Sequence, residues 1–202
     1  MRANAKKTKL PYLTVLVLLL APAAAPGQTP AGKSLIQQVA PEVQTKAMLN
    51  SMSYHKSPSV TKAEKIVIAL LYDESIPAQK VAAIKAGFEK NKDTKIGKKS
   101  FSVIEISFVT IDELKKKLIA AKANAVYIVS GSEGAARKAV SVTRNLKMLS
   151  MAGDPDHVHW LGVCLGVESK LDKLKILINL SGCKIEGVHF DPRLLRIASV
   201  SF

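Results

Sequence analysis

The chain has 202 residues, 48% of them hydrophobic, and a formal net charge of +14 at pH 7. Only 5% of its residues are aromatic, and these do not interleave with the basic residues as a base-stacking surface requires, so nucleic acid is excluded as a partner. The cationic surface suits solvent, anionic lipid headgroups or an acidic partner instead.

The first segment has the pattern of a secretory signal. Basic residues precede an apolar run from Leu13 to Leu20, and small residues follow, with Ala25 and Gly27 placed for cleavage after Gly27. An uncleaved membrane anchor is the alternative, but the run is about half the roughly 20 residues that a spanning helix needs. We therefore expect a signal peptide over 1–27, a leader with the start of the first helix over 28–41, and an exported α/β domain over 42–202.

Helices and strands alternate through the domain, which has the length of one well-packed core. Helical periodicity continues past Pro41 to Tyr54, and the apolar run KIVIALLY predicts a strand buried on both faces. Thr110 and Glu113 form a capping box that opens a later helix. The pattern predicts the following elements: helices over 78–91, from Thr110, from Glu133 to Asn145 and over 180–186, and strands over 65–72, 101–109, 125–129, 146–151, 159–167 and 174–179.

This alternation predicts an α/β fold of one domain, a mostly parallel sheet flanked by helices. The last two long strands have no helix between them, so they are predicted to form an appended C-terminal antiparallel hairpin.

No catalytic motif is present, so the sequence predicts a protein that is not an enzyme and uses no cofactor. Asp154, Asp156, His157 and His159 form the densest polar cluster, and the two histidines would share a face if that region were extended. Turn-forming acids beside an edge histidine explain the cluster without a metal ion, and no metal site is predicted.

Ser132 and Glu133 lie at the carboxyl end of a predicted strand and at the start of a helix, where unpaired amides can hold an anion or a small ligand. Helix capping by Ser132 is the alternative. Cys164 and Cys183 could form a disulfide in an oxidising compartment or remain as buried thiols, since spacing alone does not place two sulfurs together.

Several short motifs, taken in order, resemble the YfiR-like family of periplasmic regulators. The segment EVQTKAMLNSM (42–52) is similar to the family's early helix, and Ile178-Asn179-Leu180, Gly187 and Arg193–Ala198 are similar to its ending. Ser132-Glu133 and Gly153-Asp154 resemble its middle markers. The chain departs from the family where it lacks a tryptophan after the early helix, and where His157 to Trp160 replace an expected Gly-Gly.

The resemblance implies a non-catalytic protein that binds and restrains a membrane-bound diguanylate cyclase through the cyclase's periplasmic part. Phe190, Leu194 and Leu195 are then candidates for the partner surface, although these leucines could equally close the core. A homodimer is compatible with this role. A periplasmic solute-binding protein that serves a transporter or sensor kinase is the alternative function.

Overall fold

The structure is a computed structural model that describes residues 39–129, 131, 133–170 and 173–202. The predicted signal peptide, most of the leader, and Ser132 therefore lie outside the described residues. The helices are α1 (Pro41–Met52), α2 (Pro58–Thr61), α3 (Ala78–Lys90), α4 (Ile111–Ala120), α5 (Glu133–Leu146), α6 (Pro155–Leu161), α7 (Leu180–Ile185) and α8 (Pro192–Leu195). The strands are β1 (Ile66–Tyr72), β2 (Phe101–Ser107), β3 (Ala125–Ile128), β4 (Leu149–Ala152), β5 (Leu165–Lys170), β6 (Lys173–Asn179) and β7 (Ser199–Ser201).

The seven strands form one sheet in the order β2-β1-β3-β4-β5-β6-β7. The first five strands in that order are parallel, whereas β5 and β6 pair antiparallel and β7 runs parallel to β6. This confirms the predicted α/β fold, with a mostly parallel sheet and an antiparallel hairpin near its C-terminal end. All the carboxyl ends of the parallel strands meet at one edge of the sheet, and their amino ends meet at the other.

Helices cover both faces of the sheet, which explains why β1 is apolar at almost every position. Ile68 and Leu70 belong to a core shared with α1 and α3, whereas Ala69 and Leu71 belong to a second core shared with α4, α5 and α6. Side chains alternate between the two faces along a strand, so the continuous apolar run fills both cores at once.

The start of α4 follows the predicted capping box. The Thr110 Oγ1 atom accepts a hydrogen bond from the Glu113 backbone N–H at 3.2 Å. The Glu113 side chain forms an ion pair with Lys117 Nζ at 2.8 Å, one helical turn further on. The cap therefore holds α4 through Thr110, while Glu113 stabilises the first turn through its charge.

The predicted strand over 159–167 is wrong in its first half, because residues Pro155–Leu161 form α6. Asp154 caps this helix by accepting from the Asp156 N–H at 3.0 Å, and Gly162 ends it in the left-handed region with φ of 74°. Proline at the first helical position completes the signal. His157 is consequently buried and His159 exposed, so the shared face that an extended segment would give them does not exist.

Candidate functional site

A cavity of about 360 Å³ lies at the carboxyl ends of β3 and β4. The N-terminal halves of α1 and α3 form its other walls. Open α/β sheets bind ligands at this edge, so its position is that of a ligand site. Its lining combines apolar side chains with a few polar groups, chiefly Pro41, Gln44, Lys80, Ile84, Tyr127 and Gly153.

A hydrogen-bonded chain fixes the floor of this carboxyl-edge cavity. The Tyr127 hydroxyl donates to Gln44 Oε1 at 2.7 Å, and Gln44 Nε2 donates to the Gly153 carbonyl at 2.9 Å. The Tyr127 ring also packs edge-on against Phe88, with 5.6 Å between ring centroids. Burial raises the pKa of Tyr127 above its ordinary value, and the Asp154 carboxylate adds to the shift. The phenol therefore stays neutral and acts as a donor.

His157 lies beside the same edge, with its Nε2 atom 3.9 Å from Asp154 Oδ2. Burial lowers the pKa of His157, although Asp154 opposes that shift. Within the described part of the chain, its Nδ1 atom is buried without a hydrogen-bond partner. Among the residues that the structure describes, no three His, Cys, Asp or Glu side chains are grouped so that they could hold a metal ion.

Glu133 begins α5 and forms an ion pair with Arg137 on the next turn, whose Nε donates to Glu133 Oε1 at 3.0 Å. Both side chains are exposed. The acidic residue in the first turn stabilises the helix dipole. Contact between an anion or ligand and Ser132 or Glu133 stays a prediction.

A second cavity, of about 540 Å³, contains two of the three predicted partner-surface residues. Phe190 and Leu195 are half-buried and line it, whereas Leu194 is 2% exposed and packs into the core. We call this cavity the C-terminal groove; its other lining side chains include Leu180, Cys183, Val188, His189 and Phe202.

Hydrogen bonds to the segment after α1 hold the C-terminal groove in place. The Ser57 hydroxyl donates to the Gly187 carbonyl at 2.8 Å and accepts from the His189 N–H at 3.1 Å. His55 forms a backbone bridge with Phe190, and their rings lie 5.7 Å apart. Burial lowers the pKa of His55 to about 4, so this ring is neutral at physiological pH.

Asp191 anchors the next turn of chain. It caps α8 by accepting from the Arg193 N–H at 2.9 Å and forms ion pairs with the Arg193 guanidinium and with Lys56 Nζ. Arg193 and Lys56 together hold the pKa of the Asp191 carboxyl well below its usual range. These contacts therefore anchor the start of α8, the helix that contains Leu194 and Leu195.

Cys164 and Cys183 form a disulfide in the structure, and both residues are buried. The bridge joins the residue before β5 to the middle of α7. Since Cys183 lines the C-terminal groove, the bridge also fixes one wall of it.

A third cavity, of about 350 Å³, lies beside α1 and β6, and apart from Leu194 its lining residues were not predicted as site residues. Val43, Leu174 and Ile197 line it and are 48%, 41% and 72% exposed. Leu194 borders this cavity from the core, with only 2% of it exposed, whereas Leu195 lines the C-terminal groove. The one sequence signal for this cavity is Val43, an apolar residue among polar neighbours in EVQTK (42–46). An apolar residue in that setting could lie either on the surface or in the core, so the signal does not predict the cavity.

The model of the YfiR/HmsC-like family matches residues 41–199 of the chain. The chain belongs to the YfiR/HmsC-like family. Membership supports a periplasmic regulatory role, and the matched range contains nearly all of the described sheet. No curated protein matches the chain in sequence.

Two solved structures show the same fold at low identity. The ABC domain in complex with L-Trp from Streptococcus pneumonia is 14% identical with a TM-score of 0.56, and the match covers 81% of this chain and 60% of that one. A conserved domain protein from Vibrio cholerae is 11% identical with a TM-score of 0.57, over 82% and 61% of the two chains. The chain thus spans about three-fifths of the length of each.

Among the described residues, no helix combines the length and the apolar composition that crossing a bilayer requires.

Proposed function

We propose that the protein is a non-catalytic periplasmic regulator that binds a membrane-bound diguanylate cyclase and restrains it through the cyclase's periplasmic part. Family membership supports the regulatory role, and the C-terminal groove supports binding through this end of the domain. Phe190 and Leu195 supply the half-buried apolar side chains, and Phe202 is 90% exposed beside them. Covering apolar surface of this kind with a partner removes it from water, which favours binding.

The regulation needs no chemistry in this chain. A protein that binds the inactive state of the cyclase more tightly than the active state shifts the equilibrium by the difference between the two binding free energies. A rigid groove serves this purpose because less conformational entropy is lost on binding. The disulfide and the Asp191 ion pairs supply that rigidity at Cys183 and Leu195.

The test is recovery of the cyclase from detergent-solubilised host membranes with the tagged protein, together with the cellular level of cyclic di-GMP. Ser181 is exposed at the rim of the groove, so Ser181→Trp fills the groove without removing a core side chain. We expect Ser181→Trp and Leu195→Gln to lose the cyclase and to raise cyclic di-GMP. Trp160→Ser is the matched control, because Trp160 is 77% exposed on α6 and does not line the groove.

Thermal unfolding of each variant separates loss of binding from loss of folding. Ser181→Trp should unfold near the temperature of the parent chain. If it stays folded and still recovers the cyclase, the C-terminal groove is not the binding surface. Recovery of a transporter or a sensor kinase in place of a cyclase would reject the cyclase as partner.

The carboxyl-edge cavity supports a second candidate, a solute-binding protein. Lys80 and the Tyr127–Gln44 pair are the polar groups in a lining that is otherwise largely apolar. This lining suits a small molecule with an apolar body and one anionic group, which Lys80 would bind. A ligand at a hundred times its dissociation constant should stabilise the fold by about 2.7 kcal/mol. Thermal shift against amino acids and other small carboxylates tests this, with Lys80→Met expected to abolish the shift and Lys138→Met to preserve it.

A further inference from the structure

Charge is divided between the two edges of the sheet. Four segments lead from a helix into β1, β2, β3 and β4, and together they contain eight lysines and two acidic residues, Glu64 and Asp93. The four segments that leave these same strands contain no basic residue, but include Asp73, Glu74 and Asp154. We call the lysines at the amino ends the basic edge: Lys62, Lys65, Lys92, Lys95, Lys98, Lys99, Lys122 and Lys147.

Strand order brings these lysines together. β2, β1, β3 and β4 are neighbours in that order, so their amino ends form a row in which strands are about 4.8 Å apart. Lys99 Nζ donates to the Val60 and Thr61 carbonyls at 2.7 and 2.6 Å, which ties the segment before β2 to α2, the helix that precedes β1. Ile66 N donates to the Ser100 carbonyl at 3.0 Å in the same place.

The charge of the basic edge is not neutralised within the described part of the chain. None of its eight ammonium groups forms an ion pair there, whereas Lys85, Lys90 and Lys117 elsewhere each pair with a glutamate. All eight lysines are exposed except Lys99, which is half-buried. The helix dipole favours basic residues at helix C-termini, but that effect acts within the last turn and does not require ten-residue segments such as 91–100 to be rich in lysine.

An exposed apolar side chain accompanies the lysines. Ile119 is 62% exposed in the last turn of α4, and its carbonyl accepts from the Lys122 N–H at 3.0 Å. Lysines around an exposed aliphatic residue are typical of surfaces that meet anionic lipid, where the cations contact headgroups and the apolar group reaches the acyl boundary.

We propose that the basic edge docks on the surface of an anionic phospholipid bilayer. The lysines are spread over a row of strand ends and only 5% of the residues in the sequence are aromatic, so the recognition is of surface charge rather than of one headgroup or a nucleic acid. Docking in this way turns the acidic carboxyl edge, with the carboxyl-edge cavity, away from the lipid. This inference does not depend on the identity of any protein partner.

The test is co-sedimentation of the protein, purified as the cell processes it, with vesicles of mixed phosphatidylglycerol and phosphatidylcholine and with vesicles of phosphatidylcholine alone. We expect binding to the mixed vesicles only, and weaker binding at high salt. K65E/K95E/K98E should weaken binding about tenfold or more. K46E/K138E/K170E makes the same change of net charge away from the basic edge and should bind within about threefold of the parent chain.

Two isoleucine-to-serine variants test whether Ile119 contacts the lipid. Ile119→Ser should weaken binding, and Ile197→Ser, which removes a similarly exposed isoleucine beside α1, should not. All variants share one N-terminus, so any contribution of the N-terminal residues cancels. Equal binding to both vesicle types would overturn the proposal and would make an acidic protein the better occupant of the basic edge. Equal loss in the two triple variants would also overturn it, because net charge alone would then explain the binding.

Discussion

The Thr143 hydroxyl donates a 2.7 Å hydrogen bond to the Glu186 carboxylate, which lies fully buried beneath α5 and β4. The other carboxylate oxygen accepts from the Ser150 N–H at 3.0 Å. Burial raises the pKa of Glu186 from 4.5 to about 7, although these hydrogen bonds partly oppose the shift. The folded protein therefore keeps a proton that the unfolded chain releases over the range between these two values.

The first prediction concerns pH. Because the pKa of Glu186 is higher in the folded state, its ionisation lowers the free energy of unfolding as pH rises from about 4.5 through about 7, by on the order of 3 kcal/mol. Glu186→Gln cannot ionise and should lose this dependence. Urea unfolding at pH 5 and pH 8 measures it, and the histidines cancel in the comparison between parent and variant. Parallel pH profiles for the two proteins would contradict the prediction.

The second prediction concerns the disulfide between Cys164 and Cys183. Its reduction should lower the free energy of unfolding by about 3 kcal/mol, because the bridge constrains a loop with 18 residues between the cysteines. Urea unfolding with and without reductant measures the effect. The double variant C164A/C183A should not respond to reductant at all, and labelling of both thiols in the untreated protein would show that the bridge is absent.

The third prediction concerns the floor of the carboxyl-edge cavity. Tyr127→Phe leaves Gln44 Oε1 without its donor at a site where Gln44 is buried, which should cost about 1–3 kcal/mol. Replacing both partners in Q44L/Y127F should cost less than the sum of the single changes. Chemical denaturation of the three variants gives the coupling energy, and strict additivity would mean that the hydrogen bond does not contribute.

The fourth prediction concerns the start of α4. Thr110→Ala removes the acceptor for the Glu113 N–H and should destabilise the protein by about 1 kcal/mol. Thr110→Ser keeps the oxygen and should retain most of the stability. A similar loss in both variants would assign the effect to the methyl group of Thr110 and not to the cap.

Local signals in the sequence predicted much of the fold. The α4 cap depends on residues three positions apart, and the continuous apolar run of β1 depends on its own side chains, so both are visible in one window. The error at α6 arose because His157, Val158 and His159 alternate as a strand would, while Asp154 and Gly162 bound the segment as a helix. The alternation predicted a strand and the capping residues predicted a helix, and the structure has the helix.

The sites depend on contacts that no local window contains. Gln44 meets Tyr127 83 residues later and Gly153 109 residues later, so the floor of the carboxyl-edge cavity could not be predicted from spacing. Leu194 and Leu195 are adjacent and equally apolar, yet one closes the core and the other lines the groove. Their difference comes from the side of α8 on which each lies, and this depends on how α8 packs on the rest of the fold.

The contacts of Ser57 with Gly187 and His189 also set an order of events in biogenesis. These partners are separated by 130 and 132 residues, so the C-terminal groove forms only when the chain from Ser57 to His189 is available to fold. A chain that is still emerging has Ser57 but does not yet have Gly187 and His189 for it to bind. Any partner that binds this groove therefore binds chains that have already folded together with residues 187–189, and does not bind nascent chains that lack them.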